Sequence, residues 1–143
     1  MIRTATSIAA SVCTCLSIGC LLVLGGCGKG RREALEGTVT LEGKPLAAGR
    51  ITFIPLPGTL GPAAAGKIVQ GRFSILPKEG TFRGTFRAEI TATRKTGRKV
   101  EEMGVLFDET EQIIPERYNG QSELTVKVQR DGPNRFEFAL SSK

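Results

Sequence analysis

The chain changes its side-chain pattern once. From Thr4 to Gly28 no residue is charged, and from Lys29 onward short alternating stretches of apolar and polar residues are cut by Gly and Pro. Alternation with period two puts the apolar residues on one face of a half-buried strand. Glu36–Glu42 sets Val39 and Leu41 against Thr38, Thr40 and Glu42, and Glu42-Gly43-Lys44-Pro45 then turns. Arg50–Pro55 points Ile51 and Phe53 inward. Pro55, Pro57, Gly58, Gly61 and Pro62 forbid regular pairing, so 56–64 is predicted to be a loop. Gly66–Gln70 and Arg72–Leu76 flank Gln70-Gly71, with Phe73 and Ile75 inward. After a turn-rich link, Thr85–Thr93 shows the clearest alternation: Phe86, Ala88, Ile90 and Ala92 against Thr85, Arg87, Glu89 and Thr91. Glu123–Gln129 and Arg135–Leu140 close the chain, with Leu124, Val126, Val128, Phe136, Phe138 and Leu140 on the inner faces.

Residues 94–114 break this rhythm. They begin basic, continue acidic and hold only scattered apolar groups, so they are predicted to be a long loop, with a weak helical signal over Val100–Leu106. The remaining pattern predicts an all-β fold: about seven strands in an antiparallel Greek-key sandwich over residues 35–143.

The uncharged N-terminal run has a different logic. Arg3 supplies a positive flank, Ile8–Leu24 an apolar middle, and Gly25 and Gly26 the small residues that a peptidase admits beside a scissile bond. Leu24-Gly25-Gly26-Cys27 resembles the lipobox of bacterial lipoproteins, with Gly25 departing mildly from that pattern. The resemblance implies a signal peptide over 1–26, a diacylated Cys27 as mature N-terminus, and a short tether over 27–34. An uncleaved membrane helix is the alternative: the run is long enough to span but is diluted by Thr6, Ser7, Ser11, Thr14, Ser17 and Gly19. Either reading ties the domain to a membrane. Gly28, which is not the Asp that retains lipoproteins in the inner membrane of enteric bacteria, favours the outer membrane.

Composition narrows the chemistry. Cys13, Cys15 and Cys20 precede the expected cut, which leaves Cys27 alone and excludes an internal disulfide or a thiol metal site from the mature chain. With no His, imidazole catalysis and imidazole zinc ligation are absent. Asp108, Glu109 and Glu111 lack the Gly and the spacing of a calcium loop. No enzyme, cofactor or metal is expected. The formal net charge of +6 raises the question of nucleic acid, but no aromatic residues interleave with Arg94, Lys95, Arg98 and Lys99 to stack on bases. Nucleic acid is therefore not an expected partner; a solvated basic face, or contact with anionic lipid or envelope polymer, is.

Three patches carry a second resemblance: Gly37–Leu46 with Gly49–Phe53; Gly71–Phe73 with the strand ending Glu89–Ala92; and Ile114–Asn119 with Ser122–Val128 and Asn134–Leu140. Together they are similar to the small transthyretin-like, carboxypeptidase-regulatory-like lipoproteins of planctomycete bacteria. That resemblance implies a prealbumin-like sandwich, exported and lipidated, with no catalytic role. Ile114-Pro-Glu-Arg-Tyr-Asn119 is the most unusual run. Tyr118 is the only Tyr, and it is expected to form a corner bonded to backbone, with ligand binding by Arg117 and Tyr118 as the alternative. The expected function is a non-catalytic, membrane-tethered module binding an envelope protein, a polysaccharide or another copy through loops 56–64 and 94–114. The other expectation is a small-ligand or carbohydrate-binding lipoprotein.

Overall fold

Among the described residues ten strands form where about seven were expected. The computed structural model describes residues 30–143, so the signal peptide, the lipobox and Cys27 lie outside the described residues. The strands are β1 (Leu35–Leu41), β2 (Lys44–Pro45), β3 (Ala48–Pro55), β4 (Ala64–Val69), β5 (Arg72–Ile75), β6 (Gly84–Thr91), β7 (Thr93–Glu102), β8 (Val105–Gln112), β9 (Thr125–Val128) and β10 (Arg135–Leu140). Single 3-10 turns cover Pro77–Glu79 and Glu116–Tyr118. One sheet follows the order β10-β1-β5-β4-β3-β6-β9 with β2 on β1, and β7 and β8 make a separate pair.

The large sheet curls into a sandwich. β4 and β5 share only the Val69–Arg72 pairing, which makes their hairpin a corner between a β10-β1-β5 layer and a β4-β3-β6-β9 layer. Phe53 of β3 is not sheet-adjacent to β5 or β10. Its ring nevertheless lies 5.8 Å from Phe73 and 5.9 Å and 6.5 Å from Phe136 and Phe138, so the layers meet face to face. The predicted inward residues are where alternation put them: Val39, Ile51, Phe53, Phe73, Ile75, Phe86, Ala88, Ile90, Ala92, Val126, Val128, Phe138 and Leu140 are buried, while Leu41, Leu124 and Phe136 pack partly buried against them.

One pairing departs from the antiparallel expectation. β1 and β10 run parallel, from Glu36 opposite Arg135 to Leu41 opposite Leu140. The connection from β9 is an arch between layers and not a hairpin within one. Asn134 stitches it, accepting the Gln129 N–H at 2.8 Å and donating to the Gln129 carbonyl at 3.0 Å. Gly37 lets the parallel strands approach, since a Cβ there would lie 1.9 Å from the Phe136 carbonyl oxygen.

The expected loop over 94–114 is instead the β7–β8 hairpin, and Val100–Leu106 is strand, turn and strand rather than helix. Its two-residue turn has positive φ at Met103 (51°) and Gly104 (78°), the backbone of a type I′ turn. The same geometry closes Glu42-Gly43 and Gln70-Gly71.

Candidate functional site

The hairpin is an arm with both faces in solvent. Nearly every residue from Thr93 to Gln112 is exposed. A two-stranded ribbon is marginal in water by itself, so this one depends on its cross-strand partners. Arg94 pairs with Glu111, Lys95 and Lys99 with Asp108, and Arg98 with Glu109. The hydrogen bond from Lys95 holds the Asp108 carboxyl below its ordinary range and the Lys95 ammonium above its own. The root is fixed more firmly: Gln112 Oε1 accepts the Ala92 N–H at 2.9 Å, and the Ile113 N–H reaches the Ala92 carbonyl at 2.9 Å.

Beyond the ion pairs the arm becomes apolar. Val100 faces Phe107 across the ladder, and Met103, Val105, Leu106 and Phe107 are each at least half exposed. Glu101 and Glu102 stand beside them, with no ion-pair partner among the described residues. Large exposed apolar groups gathered at one tip mark an interaction surface more than a solvated loop.

The arm and the chain's entry lie at opposite ends of the sandwich. The Glu33 N–H donates to the Thr81 carbonyl at 2.7 Å, and Gly30 lies against the Phe82 ring. Residues 30–34 are therefore not free along their whole length, and the expected tether over 27–34 shortens. Thr81 and Phe82 precede the start of β6, whereas the arm leaves from its end. Eight residues of β6 separate the two by roughly 26 Å, and the ten of β7 add roughly 33 Å of ribbon.

The other expected binding loop, 56–64, sits at the entry end. It is pinned there: Thr59 Oγ1 donates to the Thr85 carbonyl and accepts the Thr85 N–H, both at 2.9 Å, and Thr81 Oγ1 donates to the Pro62 carbonyl at 2.7 Å. Leu60, at 83% exposure, is carried outward on this rigid loop.

Arg117 and Tyr118 come together in a clasp on the C-terminal residues. The guanidinium lies 4.8 Å from the Tyr118 ring centroid and donates to the carbonyls of Ser141 and Lys143. The Tyr118 hydroxyl accepts the Ser141 N–H at 3.3 Å, which is the backbone-bonded corner expected of it. Hydrogen bonding from Arg117, then from that N–H, lowers the phenol below its ordinary 10.0. Glu42 completes the clasp by accepting the Ser142 N–H and hydroxyl, both at 2.6 Å.

Sequence reasoning missed a groove of about 640 Å³ over the β10-β1-β5 layer. Phe73, Phe136 and Val69 line it together with Lys67, Arg72 and Arg135. Its outward residues, Arg72 of β5 and Arg135 of β10, were legible from alternation, but that they adjoin depends on the parallel β1–β10 pairing. Among the described residues no group of three or more His, Cys, Asp or Glu is placed to hold a metal ion. No protein-family model, curated protein or solved structure matches this chain.

Proposed function

We propose that this protein is an exported lipoprotein, held to the cell envelope by acyl chains on Cys27, whose β-sandwich presents the β7–β8 arm to a partner as a non-catalytic binding or structural module. The observation that carries the reading is the apolar arm tip at the end of the sandwich opposite the chain's entry. An anchored molecule with that polarity holds its body near the bilayer and its tip well away from it. Two or three acyl chains give an anchor that a single chain does not. A transthyretin-like relationship, as the sequence patches imply, accords with the all-β sandwich.

The test is to purify the native lipoprotein from detergent-solubilised envelopes beside a Leu106→Ser/Phe107→Ser variant. A component that co-purifies with the natural chain and is lost from the variant supports the reading. Identical sets of components would overturn the role of the arm.

A second reading rests on the groove. Its rim carries Lys67 and Arg72, beside an Arg135 that is bonded to Glu36 and a second carboxylate on Glu137. The two cations without a salt bridge among the described residues suit a small anionic ligand or an acidic sugar, and its size falls in the range of small-molecule sites. Stabilisation of the folded protein by uronic acids, abolished by Arg72→Ala, would favour this reading over the first.

A further inference from the structure

We infer that the end of the sandwich where Gly30 lies is a docking face for anionic phospholipid headgroups, so that the body rests on the bilayer and the arm points away from it. This rests on the reading that the chain is held at a membrane by Cys27. Arg31, Arg83 and Arg130 converge with Leu60 and Phe82 on one cavity of about 440 Å³. Arg83 and Arg130 have no carboxylate within ion-pair distance among the described residues, whereas Arg31 is partnered by Asp131 at 3.2 Å. Glu33 also lines this cavity, but it is buried and accepts the Asp131 N–H at 3.2 Å. The free charge facing out is therefore positive.

Apolar side chains frame that charge. Leu60 is 83% exposed and Leu76, at the same end, 54%. Guanidinium groups paired with outward leucines match the boundary between phosphates and acyl chains. The lipid anchor points to the occupant: Gly30 lies against Phe82 and Cys27 precedes Gly30 by only three residues, with Lys29 between, so acyl chains on Cys27 would bring the bilayer to this cavity. At the other end, Glu101 and Glu102 at the arm tip would be repelled by an anionic leaflet. The two ends thus give the molecule one favoured orientation.

The experiment uses the lipoprotein reconstituted in nanodiscs of phosphatidylcholine, with or without phosphatidylglycerol. A bimane label is placed on Leu60→Cys or on Met103→Cys, and nitroxide-bearing lipids serve as quencher. With Cys27 acylated, the introduced thiol is the only reactive one in the mature chain. The expected result is strong quenching at 60 only when phosphatidylglycerol is present, relieved by high salt, and none at 103. A basic side chain near an anionic surface contributes a factor of about five, so Arg83→Ala with Arg130→Ala should weaken docking about 25-fold. No quenching at 60, equal quenching at 60 and 103, or indifference to both lipid charge and the two substitutions would each overturn the inference. Intact mass of the reconstituted protein separates a failure of anchoring from a failure of docking. If the chain proves unacylated, salt-sensitive co-sedimentation with phosphatidylglycerol vesicles still supports the docking face, and its absence overturns it.

Discussion

Removing the arm should leave the sandwich as stable as before. The perturbation that respects register deletes Lys95–Thr110 and joins Arg94 to Glu111 through an Asn-Gly turn, which keeps the Arg94–Glu111 pairing and supplies a two-residue hairpin. None of the buried apolar side chains lies between Thr93 and Gln112, so the deletion removes no apolar burial from the core. The ion pairs lost are solvent-exposed and act within the arm. Shortening the connection from 16 residues to two is three halvings of loop length, each favourable by about 0.6 kcal/mol, so about 2 kcal/mol of stabilisation is the upper bound. The net change should lie between about 1 kcal/mol of loss and about 2 kcal/mol of gain. Urea unfolding followed by circular dichroism reads it directly. A loss of about 3 kcal/mol or more, the scale of truncating a large core side chain, would refute the reasoning and make the arm part of the core.

Other perturbations should behave differently. Phe53 is fully buried and touches three rings of the opposing layer, so Phe53→Ala should cost about 3–5 kcal/mol in the same unfolding assay. Gly37→Ala drives a methyl into the Phe136 carbonyl and should lose hydrogen-exchange protection along β10 before the rest of the sheet. The Ser142 hydroxyl and N–H hold the Glu42 carboxyl below a glutamate's ordinary 4.5. A depressed pKa means the C-terminal clasp is fully formed above that value and is lost as pH falls through the lower folded value. The protection factor of the Ser142 amide should therefore be high at neutral pH and fall in acid, and a protection factor independent of pH would contradict the clasp. Arg117→Ala should free the tail in the same measurement at neutral pH while leaving the unfolding midpoint nearly unchanged.

The buried strands were legible because burial of one face writes period-two alternation into the chain. Phe86, Ala88, Ile90 and Ala92 occupy the core as the pattern required. The arm was not legible, for the complementary reason: with both faces solvated, nothing forces alternation, and its pairing rests on cross-strand charges that read along the chain as a basic run followed by an acidic one. Its turn was hidden as well. Glu42-Gly43 and Gln70-Gly71 announce themselves as turns between apolar runs, whereas Met103 at φ 51° is an unusual residue for that position. Two further features depend on partners distant in sequence. The parallel β1–β10 pairing brings the two ends of the domain together, and the convergence of Arg31, Arg83 and Arg130 joins three segments with no common motif. Tyr118 was legible because Pro115 and Asn119-Gly120 bend the chain around it.

Tethering of the sandwich through Cys27 is decided by the intact mass of the protein extracted from membranes with detergent, beside a Cys27→Ala variant. The expected species is a chain beginning at Cys27 and carrying diacylglycerol, with or without an amide-linked acyl chain, and no such species from the variant. An unmodified chain still beginning at Met1 or Ile2 would contradict it and leave the N-terminal run as a permanent membrane helix.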